Sequence, residues 1–366
     1  METPPELTSA VAREISRDHA PLRKQVAALS ELFDLFTRRR EGLRGRSYMD
    51  VPALRNAYLR YHLPLNVARA TWVLEQVLAV HPKLEELEFV LDLGAGPASA
   101  SLATLFTLPR KPAREYLLTD RSRSVLQVGR ALLQSCALPE GLHKVHTAVR
   151  ALLPIPHIPR KALVWLAMVF NEAQTGSRGG RGRRFEPIHV LDALAQRLDS
   201  PSVVIVTEPA LREPARALLK LHDAAVASGR WRVVAPCTHQ LSCPLLRASG
   251  RSWCHFHFAW QAPPLVREVA DPLRLEHAFP SVAFLALERA PSGARADTPR
   301  SRAEGGARVI GDVMELADGR WGIYVCRKGR RELLVPAPPG LRRGDRIPAN
   351  DARTGKSAAP PGLGRK

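Results

Sequence analysis

Three of the five cysteines in this 366-residue chain fall within one short stretch, "APCTHQLSCPLLRASGRSWCHF", at Cys237, Cys243 and Cys254. Five residues separate the first pair and ten the second. Thiolates converging from short loops select zinc or an iron–sulfur cluster, both of which take soft ligands. A zinc ribbon is built on a tight knuckle of cysteines about two to four residues apart, which these gaps do not supply. A 4Fe–4S cluster is bulkier and tolerates wider spacing, but it needs a fourth ligand. Cys136 ends an amphipathic helical stretch and reads as core filler. Cys326, in "WGIYVCRKG", is the expected fourth donor, so that the centre would staple the C-terminal region to the rest of the chain. His239, His255 and His257 stand as alternative ligands, and zinc as the alternative metal.

A second constellation lies in "VLDLGAGPASASLATLF", residues 90–106. Asp92 sits at the end of a strand-like run, followed by Gly94, Gly96 and a helix of small residues. Glycine at such a strand–helix junction lets the backbone turn tightly and a ligand come close. Position 99 is serine where a dinucleotide fingerprint has its third glycine. That favours S-adenosylmethionine, a ligand with no pyrophosphate to cradle, over NAD. The next run, "YLLTD", ends on Asp120, placed to accept hydrogen bonds from a ribose diol, and Asp92, Gly94, Gly96 and Asp120 are together expected to hold the cofactor. A later one exits through "VFNEA", bringing Asn171 and Glu172 to the rim where a reacting group would sit. Asn-Pro-Pro-aromatic, the clamp of many N-methyltransferases, is absent, and Cys237 falls on the wrong side of the strand order for a methyltransferase nucleophile. Asn171 and Glu172 are therefore the only catalytic candidates.

These residues need a frame. From residue 88 onward short apolar runs alternate with helical stretches, the pattern of a parallel sheet with crossover helices. Strands are predicted at 88–94, 114–120, 144–149, 162–170, 202–208, 231–236 and 281–289, with helices such as 123–135 and 213–228 between them. Seven strands with an irregular insertion before the last match the order of class I methyltransferases, a Rossmann-like α/β fold. Helical periodicity marks an N-terminal region, 1–70, ahead of a methyltransferase-like domain at 71–290 whose cysteine insertion covers 235–262. A linker follows at 291–307, then a small β module at 308–350 and a basic tail at 351–366.

The chain carries 54 basic and 35 acidic residues, a net charge of +19. The excess is clustered: residues 321–366 hold eleven basic and three acidic residues, and "SRGGRGRR" (177–184) holds four arginines and no acid. Such clustering is the footprint of a polyanion, most plainly RNA. No apolar run approaches the roughly eighteen residues of a membrane span, and the N-terminus lacks an apolar signal segment. A cytoplasmic monomer without a membrane partner is expected, and an odd cysteine count does not read as a disulfide framework.

"LDLGAGPASA", "TDRSRSVL", "VIVTEPA", "VVAPCTHQLSCPL" and "WCHF" together resemble the methyltransferase-like proteins of the mitochondrial ribosomal small subunit and their bacterial relatives. The likeness covers about residues 45–330, and its A-P-C-x-H…C-P-L…W-C-H-F order is specific. It implies an S-adenosylmethionine-type fold and association with the small subunit and its rRNA in assembly or translation. It further implies a 4Fe–4S cluster on Cys237, Cys243, Cys254 and Cys326, and cofactor positions at Gly94, Gly96 and Asp120. The chain departs from the family in a longer loop between Cys243 and Cys254, in the Arg/Gly segment after strand four, and in Ala98, where many members have another glycine. Within the resemblance two functions stand open, a methyltransferase and a non-catalytic assembly factor of the same fold. A zinc-stapled RNA-binding protein is the third.

Overall fold

The computed structural model describes residues 1–15, 20–37, 48–108, 113–136, 143–175, 186–248, 250–291, 306–349 and 357–358. The arginine segment 177–184, residues 292–305 of the expected linker and all of the expected tail except 357–358 lie outside the described residues.

Continuous apolar runs become strands covered on both faces. Phe89–Leu93 (β1), Leu163–Ala167 (β4) and Val203–Glu208 (β5) are buried almost throughout, as parallel strands between two helical layers must be. With Glu115–Asp120 (β2), Lys144–Val149 (β3), Trp231–Ala235 (β6), Phe256–His257 (β7) and Ser281–Arg289 (β8), they form one sheet of order β3-β2-β1-β4-β5-β8-β6, with the short β7 paired to β8. β1 to β5 run parallel, and β8 lies antiparallel between β5 and β6. This is the strand order of the class I methyltransferase fold.

Alternation along the strands divides the core. Val90, Leu118, Trp165 and Ile205 pack toward the helices Leu63–Leu78, Ser99–Thr107 and Arg123–Cys136 and toward the N-terminal helices Pro5–Ile15 and Leu22–Thr37. Leu91, Val164 and Val206 face the opposite layer, Pro187–Ala195 and Arg212–Ala227. Trp165 is fully buried, and its indole N–H donates to Thr104 Oγ1 at 2.9 Å.

The expected fourth strand, 162–170, is too long. β4 ends at Ala167, Met168 takes a left-handed φ of +61°, and the chain turns into the helix Val169–Thr175. A non-glycine residue in that conformation is strained, and side-chain pattern alone does not announce it.

Beyond residue 306 lies a second sheet, of Ala307–Val309 (β9), Met314–Glu315 (β10), Trp321–Arg327 (β11), Arg330–Leu334 (β12), Arg346–Ile347 (β13) and Ser357–Ala358 (β14), ordered β13-β9-β11-β12-β14 with β10 on β11. One face is a small core of Val309, Ile323, Val325, Leu334 and Ile347. From the other, Cys326 packs with Cys243, Leu245 and Leu219 of the larger unit. Among the described residues no helix is long and apolar enough to cross a membrane.

Candidate functional site

The glycine loop leaves β1 at the C-terminal edge of the parallel strands, where open α/β sheets bind ligands. Gly94 (φ +72°) and Gly96 (φ +52°) are both left-handed. At Gly94 a β-carbon would lie 2.7 Å from Cγ2 of Val169, so glycine is required for packing as well as for conformation. At Gly96 a β-carbon would meet nothing within 4 Å, so the loop there faces open space. Ala98, the family departure, is left-handed too, at φ +68°.

Asp120 and Asp92 hold this loop in different ways. Gly96 N–H donates to Asp120 Oδ2 at 3.0 Å, and Ser122 N–H donates to Oδ1 at 2.9 Å. Each oxygen keeps a second lone pair for a hydroxyl donor. Asp92 is only 1% exposed. Its Oδ2 accepts both the amide (3.2 Å) and the hydroxyl (2.7 Å) of Ser101, pinning the first turn of the following helix, while Oδ1 is buried without a partner. Burial pushes the Asp92 carboxyl up to about 6.

The helix Val169–Thr175 carries both catalytic candidates, but it brings only Glu172 near Asp120, whereas Asn171 lines a separate small pocket with Pro187, Glu208 and Pro214. Its first turn is held by Glu208, at the end of β5 and 1% exposed, whose two oxygens accept the amides of Phe170 (2.9 Å) and Asn171 (3.1 Å). Part of Glu172 reaches solvent, yet packing around its carboxyl strips water from the charged form, and this desolvation pushes it up to about 7. The charge of Asp120 adds to that rise, and a hydrogen bond from Tyr48 O–H to Glu172 Oε1, at 3.3 Å, opposes it. Tyr48 comes from the N-terminal region and stands 6.1 Å, ring centroid to centroid, from Tyr58. Next to Tyr48, Asp50 Oδ1 accepts the hydroxyls of Ser122 and Ser124, both at 2.7 Å. The N-terminal region thus bonds to Glu172 and to the residues that follow β2.

Sequence reasoning missed Tyr48, Tyr58 and Glu208. For Glu208 the signal was there: "VIVTE" ends on an acid, as β2 does and β1 nearly does. For the tyrosines there was none, because their contacts bridge distant parts of the chain. The residues present fit S-adenosylmethionine: an open glycine backbone at Gly96, an acceptor carboxylate at the end of β2, and the Glu172 carboxylate near it.

The second site lies at the seam between the two sheets. Cys237, Cys243, Cys254 and Cys326 line one cavity of about 560 Å³, its open mouth included, together with His222, Arg308, Leu219 and Ile310. All four are free thiols. Burial, and then the neighbouring Cys243, push Cys254 up to about 12. Cys237 is raised by burial and by the other three sulfurs, so all four share one electrostatic field. Among the described residues, no three His, Cys, Asp or Glu side chains are drawn together tightly enough for one metal ion. The sulfurs surround a void rather than a point.

Cys136 is buried in the helical layer away from this cavity. The three histidines sort differently. His239 Nδ1 accepts the Leu241 amide at 3.1 Å, so its proton is on Nε2, which lies 3.3 Å from Cys326 Sγ and donates to it. His255 and His257 do not line the cavity; His255 stacks on Trp253, 5.4 Å between centroids, with His257 edge-on at 5.2 Å.

A family model, described as mitochondrial small ribosomal subunit Rsm22, matches residues 53–277. The chain belongs to the Rsm22 family. The matched span holds the glycine loop, Glu172 and three of the four cavity cysteines, while Cys326 lies beyond it. No curated protein matches this Rsm22-family chain. Among solved structures, magnesium protoporphyrin IX methyltransferase from Synechocystis PCC 6803, with bound S-adenosylmethionine, is similar at 12% identity over 72% of this chain and 97% of its own, with a TM-score of 0.38. An rRNA methylase from Streptococcus thermophilus is similar at 8% identity over 61% of this chain and 96% of its own, TM-score 0.34. A putative RNA methyltransferase from Pyrococcus horikoshii is similar at 13% identity over 61% and 83%, TM-score 0.34.

Proposed function

We propose that this Rsm22-family chain binds rRNA of the small ribosomal subunit and holds S-adenosylmethionine at the glycine loop, acting as a methyltransferase. The observation that carries the reading is that the Asp120 carboxylate, which holds the open Gly96 backbone, lies close enough to the Tyr48–Glu172 pair for its charge to act on Glu172. S-adenosylmethionine, when bound, supplies an electrophilic methyl group. Gly96 would leave room for it, and Asp120 would accept from its ribose hydroxyls. Glu172, up at about 7, takes the proton that the methylated atom gives up. Tyr48 orients that carboxylate, and Glu208 fixes the helix that carries it. Calorimetric titration with S-adenosylmethionine tests the cofactor. Crosslinking to small-subunit rRNA at several salt concentrations tests the partner, whose binding should weaken steeply with salt.

One observation favours the second reading, a non-catalytic assembly factor. Both Asp120 oxygens already accept amides of the chain's own loop, which closes the loop on itself without a ligand. No heat at high micromolar cofactor, with rRNA crosslinking retained, would select it.

The cavity thiols are proposed to hold a 4Fe–4S cluster through Cys237, Cys243, Cys254 and Cys326. An all-sulfur donor set around a void suits a polynuclear centre better than one zinc ion, which needs its ligands drawn together. The cluster would join β11 of the small sheet to the main sheet. Iron and zinc analysis after anaerobic purification distinguishes the two, and zinc without iron would return the reading to a zinc-stapled RNA-binding protein.

A further inference from the structure

The thiol cavity contains a polar group that the four-cysteine set does not use. His222, on the helix Arg212–Ala227, is 2% exposed and lines the same cavity as the cysteines. Its Nδ1 lies 2.8 Å from Oδ1 of Asp223. A carboxylate only accepts, so Nδ1 carries the proton and Nε2 the lone pair. That Nε2 is buried with no hydrogen-bond partner. A buried acceptor left unpaired is costly unless something in the cavity meets it.

Asp223 Oδ1 also accepts the amide of Cys243 at 2.7 Å. One carboxylate therefore orients both a thiol-bearing residue and an imidazole, the arrangement that fixes the tautomer of metal-bound histidines. His239 has the opposite polarity, with its Nε2–H spent on Cys326 Sγ. The His222 ring stands edge-on to the His239 ring, 6.2 Å between centroids, which puts His222 near the Cys326 side of the cavity.

We propose that His222 is a fifth donor of this site, able to occupy the coordination position of Cys326. The inference rests on the metal-centre reading above. In the exchange the Cys326 sulfur leaves the metal and takes a proton from solvent, the Nε2 lone pair makes the new bond, and no oxidation state changes. Of the four cysteines only Cys326 comes from the small sheet. The exchange would therefore release that sheet from the centre while the centre stays in place.

The test uses the full chain, reconstituted anaerobically with ferrous iron and sulfide, as wild type, Cys326→Ser, Cys326→His, His222→Ala and the C326S/H222A pair. Iron per chain is measured, and nitrogen hyperfine coupling is read by pulsed electron paramagnetic resonance of the reduced centre. Wild type and H222A should carry the same iron without directly bound nitrogen. C326S should keep its iron, show a strong nitrogen coupling, and shift its reduction potential upward, as replacement of thiolate by imidazole does. The C326S/H222A pair should lose at least nine-tenths of its iron, roughly a tenfold fall in occupancy. Iron lost from C326S as completely as from the pair, or retained there without nitrogen coupling, overturns the proposal. A folded, iron-bearing C326H beside a C326S that does not fold also overturns it, as does failure of both to fold, since a fifth donor would have kept the centre. A wild type that takes up no iron removes the metal-centre reading itself and the fifth donor with it.

Discussion

Gly129, in the helix Arg123–Cys136, leaves room for the strained Ala98 of the glycine loop. A β-carbon at 129 would lie 3.1 Å from Ala98 Cβ and 3.1 Å from the Pro97 carbonyl carbon. Ala98 is held at φ +68°, where an L-residue pays about 1–2 kcal/mol. Gly129→Ala should therefore move the loop by a few tenths of an ångström. Gly129 is buried, so the gain of about 1 kcal/mol that alanine brings to a helix over glycine is offset by this tight contact, and thermal stability should change little. Affinity for S-adenosylmethionine should fall on the order of tenfold, since small misplacements of a binding loop are costly. Titration calorimetry beside a melting curve checks this, and unchanged affinity would show that the loop does not carry the cofactor.

The two loop glycines should fail differently when given a methyl group. Gly94→Ala drives a β-carbon to 2.7 Å from Val169 Cγ2, at a left-handed position. It should destabilise the whole chain by about 2–4 kcal/mol through overpacking and strain. Gly96→Ala meets open space and should cost only the backbone strain, about 1–2 kcal/mol. Its methyl group would stand in the cofactor's place, so binding should be lost while the fold remains. Urea unfolding paired with cofactor titration separates the two, and equal stability losses would count against this reading of the loop.

Methyl transfer, if carried by Glu172, should rise with pH through about 7, because the carboxylate must be deprotonated to take a proton. Glu172→Gln should lower the rate on the order of 10²–10⁴-fold and flatten that limb. Tyr48→Phe removes a hydrogen bond that lowers the Glu172 value, so its limb should move to higher pH. Initial rates on small-subunit rRNA across pH 5–9 decide it; a profile indifferent to both substitutions assigns the chemistry elsewhere.

What could be read from sequence follows from how local each signal is. β1 and β5 were legible because parallel strands buried on both faces are continuous apolar runs with turn residues at their ends. The overshoot of the fourth strand came from Met168, whose left-handed turn is imposed by its surroundings. Gly94, Gly96 and Asp120 follow a local strand–loop–helix pattern, whereas Tyr48 reaches Glu172 across 124 positions of sequence. Cys326 was reached in the sequence by setting Cys136 aside as core filler; the structure turns it to the cavity because β11 alternates, with Ile323 and Val325 in the small core and Tyr324 and Cys326 facing the other way. His222 looked like one more residue on an amphipathic helix, and only its pairing with Asp223 and its empty Nε2 distinguish it.

Asp92 should make stability depend on pH in the sense opposite to a salt-bridged acid. Its folded value, about 6, lies above the unfolded value of about 3.9. The folded state therefore prefers the protonated acid. The stabilisation is complete below the unfolded value and is lost as pH rises through about 6. At neutral pH the ionised group costs at most about 3 kcal/mol. Asp92→Asn keeps an oxygen for the Ser101 amide and hydroxyl. It should be the more stable form at pH 7.5 and nearly equal to wild type near pH 4, as read by urea unfolding at both values. A gap that does not change between them would mean that Asp92 is not the titrating group.

Arg308 ties the small sheet to the main one, and its geometry and its charge can be tested apart. It is 4% exposed; its Nε–H donates to the Pro236 carbonyl at 2.9 Å, and Nη1 donates to Gly344 O at 2.6 Å and Gln76 Oε1 at 3.2 Å. Burial brings the guanidinium down to about 10, and the nearby Cys254 and Cys237 oppose that fall. Arg308→Met leaves these acceptors unsatisfied and should cost about 3 kcal/mol or more. Arg308→Lys keeps the charge but cannot span three acceptors with one ammonium. If the guanidinium balances negative charge on the sulfurs, the lysine variant should lose stability yet retain its metal, while the methionine variant loses both. Iron content measured beside a thermal melt reads the two effects. Equal iron in the two variants would make Arg308 a connector of backbone carbonyls and nothing more.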